Sequence, residues 1–376
     1  MTQRISRVLF SISSLNIGGA ERQFIQLVKG LNKNLFDVRV VLMYTGTLEP
    51  ELDSTSCIQI YRLEKKSRYD IFSYFKYIRI INEFSPNVIY SFLPDLNVIS
   101  VVCKFLSRRN PNLFWGIRAG TNEIKTYSKF SQVAFQLQRL LSRQIKLAIF
   151  NSHQGQKDYL ELGFRFKNSL VISNGMNADR FRPDKIKRSI FREKYNLSEN
   201  DVVIGVVSRF EHIKGMDIFA SSASYLLSKY NNLFFFSIGY GDESIINECK
   251  NIVGSHLDSR FFFLGKRNDP ENIMPGWDIY CSTSRGEGFS NSIAEAMLCG
   301  LPVIASDVGD SSKIIGSFGM VFESTNVNDL SNKIELYIDK NKRLNLAESA
   351  RIHIIEQYSV ARMIDASENA ILTFSN

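Results

Sequence analysis

The chain has 376 residues, 44% of them apolar and 22% charged. That make-up excludes a disordered or low-complexity protein, and the length exceeds the ~250–300 residues at which single cores stop growing, so two medium α/β domains are expected. The net charge of +8 is uneven: residues 1–180 carry 25 Lys and Arg against 13 Asp and Glu, leaving the remainder net acidic. Such asymmetry points to an anionic membrane surface or polyanion meeting the N-terminal half, with a solvated basic face as the plain alternative. No nucleic-acid module accompanies the charge, so nucleic acid is not expected as a partner.

In chain order, Arg7–Ser13 reads as a buried strand, too short for the apolar core of a signal peptide. The loop Asn16–Arg22 follows. Its adjacent Gly18 and Gly19 let a backbone approach a ligand just before the helix Ala20–Leu31, although a structural tight turn fits equally. Asp37–Met43 is the next strand. The loop is not G-x-G-x-x-G and no acidic residue ends this strand, which argues against a nicotinamide dehydrogenase. A helix over Ile71–Phe84 and strands at Asn87–Phe92 and Asn112–Ile117 come next, with Arg62, Lys65, Lys66, Arg68, Lys76, Arg79, Arg108 and Arg109 forming much of the basic excess. The longest apolar stretch, Val88–Leu106, is broken by Pro94, Asp95 and Lys104 and does not read as a membrane span. Val133–Arg143 and Gln154–Leu162 are helix-like, and Leu147–Phe150 and Ser169–Ser173 strand-like.

The turn pair Asn174–Gly175, then Pro183 and the charged run Asp184–Arg188, mark a domain junction. The βαβ pattern then restarts with strands at Val202–Val207, Leu233–Ser237, Arg260–Leu264, Trp277–Ser282 and Pro302–Ala305, and Asn328–Phe374 is mostly helical. The expected architecture is two Rossmann-like, doubly wound parallel sheets facing across a cleft, with ligands beyond the carboxyl ends of the strands. The five cysteines are odd in number, scattered, and free of C-x-x-C or zinc spacing. They read as small core residues in a reducing cytosol.

Two constellations in the second half carry chemistry. Arg209 ends the first strand of that half and Lys214 precedes a helix; a guanidinium and an ammonium so placed suit a diphosphate. Further on, Gly286 and Gly288 flank Glu287, and Ser290 or Asn291 is placed to cap the helix that follows. The amides of Gly288, Phe289, Ser290 and Asn291 would then face a bound phosphate. Glu295, in the second turn of an otherwise apolar helix, needs donors such as ribose hydroxyls. The bland readings are surface cations and a capped helix with an internal ion pair.

These motifs resemble, in order and separation, the retaining glycosyltransferases of family 4, whose architecture is GT-B. The resemblance runs from the Gly-Gly-Ala-Glu-Arg loop at Gly18, through Val171–Asn177, Arg209…Lys214-Gly215, Gly239–Glu243 and Phe263–Gly265, to Glu287, Glu295 and the run Ala296–Ile304. It implies an acceptor domain over residues 1–172 with a returning helix over 358–376, and a donor domain over 173–357. It also implies that Arg209 and Lys214 hold the donor diphosphate, with Gly18 and Gly19 approaching it. Glu287 with Gly288, Phe289, Ser290 and Asn291 would bind the sugar, Glu295 the ribose, and the loop of Lys266 and Arg267 the base.

One departure lies after the Asn112–Ile117 strand, in Trp115–Thr121: Arg118 stands where many members carry a histidine. It can meet a donor phosphate or an anionic acceptor but cannot act as a base. None of the four histidines replaces it; His153 reads as a cap or surface residue.

The resemblance thus implies transfer of a hexose or N-acetylhexosamine from a nucleoside-diphosphate sugar, UDP-linked by preference, to a saccharide or lipid-linked saccharide in surface-glycan biosynthesis. The setting would be the cytoplasm, at the inner face of the membrane. No cofactor or metal is expected, since there is no Asp-x-Asp pair and Arg209 with Lys214 supplies the positive charge. An epimerase of the same architecture would release isomerised nucleotide sugar without any acceptor. A non-catalytic binding module would carry broken donor residues, and here all four are present.

Overall fold

Short runs of Val, Ile and Phe without polar breaks form strands only where both faces can be covered, and parallel sheets flanked by helices meet that need. The computed structural model, which describes residues 5–53, 58–67, 70–118 and 129–375, builds two such sheets in two compact units, Met1–Gly175 with Val360–Asn376 and Met176–Ser359.

The first unit has β1 (Ser6–Ile12), β2 (Phe36–Leu42), β3 (Gln59–Arg62), β4 (Val88–Phe92), β5 (Asn112–Ile117), β6 (Leu147–Phe150) and β7 (Ser169–Val171). All pair in parallel, in the order β3-β2-β1-β4-β5-β6-β7. Strand β4 is buried throughout. The rings of Phe10, Phe24, Tyr90 and Phe92 pack with centroids 4.7–6.5 Å apart on one face of the sheet; each fully buried ring contributes ~1.5–3 kcal/mol. Pro94 then starts the helix Pro94–Leu106, so the long apolar stretch is a strand and a helix rather than one element. The helix Val360–Phe374 returns to this unit. Its Glu368 accepts a hydrogen bond from the Asn32 amide, Ile364 fills the space left by Gly30, and Met363, Ala370 and Ile371 enter the core.

The second unit has β8 (Val202–Val207), β9 (Leu233–Ile238), β10 (Phe261–Phe263), β11 (Ile279–Ser282), β12 (Val303–Ser306) and β13 (Gly319–Phe322), again all parallel, in the order β10-β9-β8-β11-β12-β13. Trp277 and Tyr280 are fully buried beneath it.

Two edge strands, β3 and β13, were not expected from the sequence. Both are four residues long and mostly half-buried, so neither shows a continuous apolar run. Cys103, Cys249, Cys281 and Cys299 are buried and unpaired. Burial pushes the thiols of Cys103, Cys249 and Cys299 up to about 12, which makes them inert. Cys57, Arg68 and Ala119–Thr121 lie outside the described residues. Among the described residues no helix is long and apolar enough to cross a membrane.

Candidate active site

In a doubly wound sheet the chain reverses its direction of winding at one pair of neighbouring strands, and the loops leaving that pair diverge to open a crevice. In the second unit that pair is β8 and β11, with Ile204 opposite Ile279 and Gly205 opposite Tyr280. The loop after β8 holds Arg209 and Lys214, and the loop after β11 holds Ser284–Asn291. Two segments more than seventy positions apart are thereby brought side by side.

Contacts between the loops fix them. Lys214 closes the short 3-10 turn His212–Lys214, and Gly215 follows at φ +61. A side chain at Gly215 would put its Cβ 2.0 Å from the Thr283 carbonyl, so only glycine admits this approach. The Arg285 amide donates to the Ile213 carbonyl at 2.7 Å. The Arg285 guanidinium donates to the His212 carbonyl at 2.8 Å and grips both Asp217 carboxylate oxygens, Nη1 to Oδ1 at 2.8 Å. Burial alone would raise the Asp217 carboxyl, but the hydrogen bonds and charge of Arg285 hold it below the usual carboxylate range. Behind Glu287, Gly309 stands at φ +60 with its would-be Cβ 2.4 Å from the Glu287 carbonyl, and the Asp310 amide donates to the Gly288 carbonyl at 3.1 Å.

At the centre, the Lys214 ammonium donates to Glu287 Oε1 at 2.8 Å, and Ser284 Oγ donates to the same oxygen at 2.7 Å. The two side chains are only 16% and 13% exposed. The shielding strengthens the ion pair and leaves the second carboxylate oxygen of Glu287 available to hydroxyl donors. The helix Asn291–Leu298 begins beside them. Ser290 occupies its N-cap position, but its side chain makes no cap hydrogen bond and contacts Ser292 Oγ at 3.3 Å instead. The cap expected of the Ser290 side chain is therefore absent, and its hydroxyl does not compete with an anion for the first amides of this helix.

The other expected residues fall as follows. Arg209 is exposed and its guanidinium pairs with Glu211, not with the Lys214–Glu287 pair. Phe289 is buried, its ring edge-on to Tyr358 at 5.3 Å, so it anchors the loop. Glu295 is partly buried. Arg267 is clamped in two hydrogen bonds to Asp269, at 2.9 and 2.8 Å, and the Lys266 ammonium lies over the Tyr240 ring at 4.7 Å.

Gly18, Gly19 and Arg118 belong to the first unit. Gly18 is the N-cap of the helix Gly19–Gly30, and a Cβ there would meet the Glu21 carboxylate at 2.2 Å. Arg118 follows β5. It donates to Asn174 Oδ1 at 2.9 Å and lies over the Phe92 ring at 5.3 Å, while its buried Nε has no partner. Burial holds its pKa below the usual guanidinium value, only partly offset by the neighbouring Tyr90 hydroxyl. His153 does not cap its helix; Ser152 Oγ does, accepting from the Gly155 amide at 3.1 Å.

Sequence reasoning missed the Arg285–Asp217 clamp and the Ser284 hydroxyl. Ser284 and Arg285 adjoin the glycine-flanked glutamate, but nothing local links Arg285 to a carboxylate 68 positions earlier.

The family model for glycosyl transferases group 1 matches residues 201–340, the unit that holds this site, and that for Glycosyltransferase Family 4 matches residues 17–180. The chain belongs to the family 4 glycosyltransferases. Among its relatives is the N,N'-diacetylbacillosaminyl-diphospho-undecaprenol alpha-1,3-N-acetylgalactosaminyltransferase of Campylobacter jejuni, 30% identical over 59% of this chain and 60% of that protein. Another is the UDP-Gal:alpha-D-GlcNAc-diphosphoundecaprenol alpha-1,3-galactosyltransferase of Escherichia coli, 23% identical over 93% of this chain and 92% of that one. Anabaena HepE, solved in complex with UDP-glucose, superposes with a TM-score of 0.83 at 22% identity, covering 98% of this chain and 99% of that one. The lipopolysaccharide glycosyltransferase WaaG gives 0.74 at 17% identity, covering 97% and 99%. The glycosyltransferase has the GT-B fold.

Proposed function

We propose that this glycosyltransferase moves a hexose or N-acetylhexosamine from a UDP-sugar, with retention of configuration, to a saccharide carried on a lipid diphosphate. The observation that carries the donor half is the meeting of Lys214, Glu287, Ser284 and a helix start that the Ser290 side chain does not cap, at the β8/β11 crevice. As the bond from the sugar to the terminal phosphate breaks, its electron pair stays on the phosphate, which gains one negative charge and leaves doubly charged. The Lys214 ammonium and the first amides of Asn291–Leu298 stabilise that charge without rearranging, the kind of preorganisation that removes ~3–4 kcal/mol of barrier per donor. Arg209 exchanges its exposed partner Glu211 for a phosphate oxygen. Glu287, oriented by Lys214 and Ser284, accepts hydrogen bonds from sugar hydroxyls, and Glu295 from the ribose. With no histidine among the described residues of the site and Glu287 engaged by Lys214 and Ser284, the acceptor proton passes to the departing phosphate. The same cations take the place of a divalent metal, so turnover persists in excess chelator; loss of turnover restored by manganese would refute this.

The lipid-linked acceptor is supported by the names of the relatives above and by the outer surface of the first unit. Phe72, Phe75, Phe105, Leu106 and Leu140 are each more than 60% exposed on three helices, and Lys76, Arg79, Arg108, Arg109 and Arg139, on or just after those helices, are exposed as well. Single exposed apolar residues are ordinary, but five large ones on three helices that also carry or adjoin cations fit the interface of an anionic membrane. We infer work at the inner face of the cell membrane on that ground. The deciding experiment screens UDP- and GDP-sugars for thermal stabilisation and hydrolysis, since a donor present at ~100 times its Kd adds ~2.7 kcal/mol. Stabilisation by no nucleotide sugar would refute the donor reading.

A further inference from the structure

The first unit holds a cavity of about 370 Å3 that the donor chemistry does not use. It lies at the carboxyl ends of β1 and β2, where Ser13 and Met43 follow the last strand residues, and is walled by the helices Phe72–Phe84, Pro94–Leu106 and Lys129–Leu141. Most of its lining is carbon, from Val98, Ile99, Ala134 and Leu137 among others. Among the described residues of the lining the one cation is Lys65. That ammonium lies over the Tyr74 ring at 4.7 Å and donates to the Tyr74 hydroxyl at 2.6 Å, and no carboxylate among the described residues pairs with it. An ammonium held by a single phenol keeps two N–H donors for a ligand. Asp95, exposed, is the one acidic side chain among the described residues of the lining.

The apolar wall continues to the surface, where Val133, Leu137 and Leu140 of one helix are 57%, 44% and 69% exposed. A ligand that satisfies both parts joins an anion to a hydrocarbon chain. A sugar alone would leave the apolar walls wet, and a bare phosphate would leave them empty. The volume lies in the range of a ligand subsite rather than a packing defect.

We propose that this cavity is the subsite for the lipid-diphosphate end of the acceptor, with Lys65 on the phosphate nearer the lipid and the first isoprenoid carbons against Val98, Ile99 and Leu137. The proposal rests on the lipid-linked acceptor reading above and names where that acceptor is held.

The test uses the full chain with UDP present at saturation, so that the diphosphate site of the second unit is already filled. Binding of farnesyl diphosphate, inorganic diphosphate and dihexanoyl phosphatidylglycerol is measured by isothermal titration. The wild type is expected to bind farnesyl diphosphate at least about tenfold more tightly than either of the others. Lys65→Met is expected to weaken farnesyl diphosphate about ten- to a hundredfold, the range for one charge-assisted hydrogen bond, and to leave UDP binding unchanged. Leu137→Asp, at an exposed position, is expected to weaken farnesyl diphosphate as well and serves if the lysine variant folds poorly. Equal binding of inorganic diphosphate or phosphatidylglycerol, or a Lys65→Met variant that binds farnesyl diphosphate like the wild type, would overturn the assignment. UDP bound but farnesyl diphosphate ignored counts against the cavity alone. Farnesyl diphosphate bound by a protein that ignores UDP counts against the donor reading alone.

Discussion

Replacing Lys214 with Met separates the structural and chemical duties of the central ion pair. The stem of Met fills much of the same space but leaves Glu287, 13% exposed, with only Ser284 as a donor. Stranding one partner of a fully buried pair costs ~3–5 kcal/mol and an exposed one under ~1. For side chains 16% and 13% exposed, about 2 kcal/mol is the reasoned value. For a unit of this size that lowers the unfolding midpoint by about 4–8 °C. Loss of the ammonium should also cut turnover about 10²- to 10³-fold. The double variant Lys214→Met/Glu287→Gln removes the stranded charge while an amide oxygen still accepts from Ser284, so it should regain most of the lost stability and none of the turnover. Calorimetric unfolding and initial rates of donor consumption read the two effects separately. A single variant with wild-type stability, or a double variant as unstable as the single one, would refute the picture of a shielded pair.

Asp217→Asn should cost about 1–2 kcal/mol at pH 7, measured as the urea midpoint. The Asp217 pKa is lowered in the folded state, so its contribution is full above the unfolded carboxylate value of ~3.9 and is lost as pH falls through the lower folded value; the two proteins should converge in acid. Gly215→Ala forces a Cβ to within 2.0 Å of the Thr283 carbonyl at φ +61, and should lose more than ~2 kcal/mol of stability together with UDP affinity. Arg118→Met replaces a guanidinium that has no carboxylate partner among the described residues. It should leave stability unchanged or raise it by about 1–2 kcal/mol in urea melts while lowering the rate of transfer to acceptor.

The sequence carried the strands and the donor motifs because both are local. Val202–Val207 is a run of Val and Ile broken only by Gly205 and nearly all buried, and the residues around Glu287 announce themselves by flanking glycines. The edge strands Gln59–Arg62 and Gly319–Phe322 escaped because one face of an edge need not be apolar. The side chain expected to cap Asn291–Leu298 illustrates a different limit: Ser290 has the right chemistry at the right position, and only the backbone and Ser292 decide that its hydroxyl turns elsewhere. The Lys65 cavity was invisible for a third reason. Its walls come from strand ends and three helices spread over Ser13 to Leu137, and no periodicity within any one of them marks a shared void.

The returning helix Val360–Phe374 sets the order in which the protein can mature on the ribosome. Its Met363, Ala370 and Ile371 complete a core built by residues that precede the whole second unit. At ~5–20 residues per second of synthesis, that core waits on the order of ten seconds or more with one side open. The second unit, continuous in the chain, needs no such partner and can close first. A stop or frameshift beyond Ser359 would therefore spare the second unit and unmake the first, although every residue of its sheet had already been made.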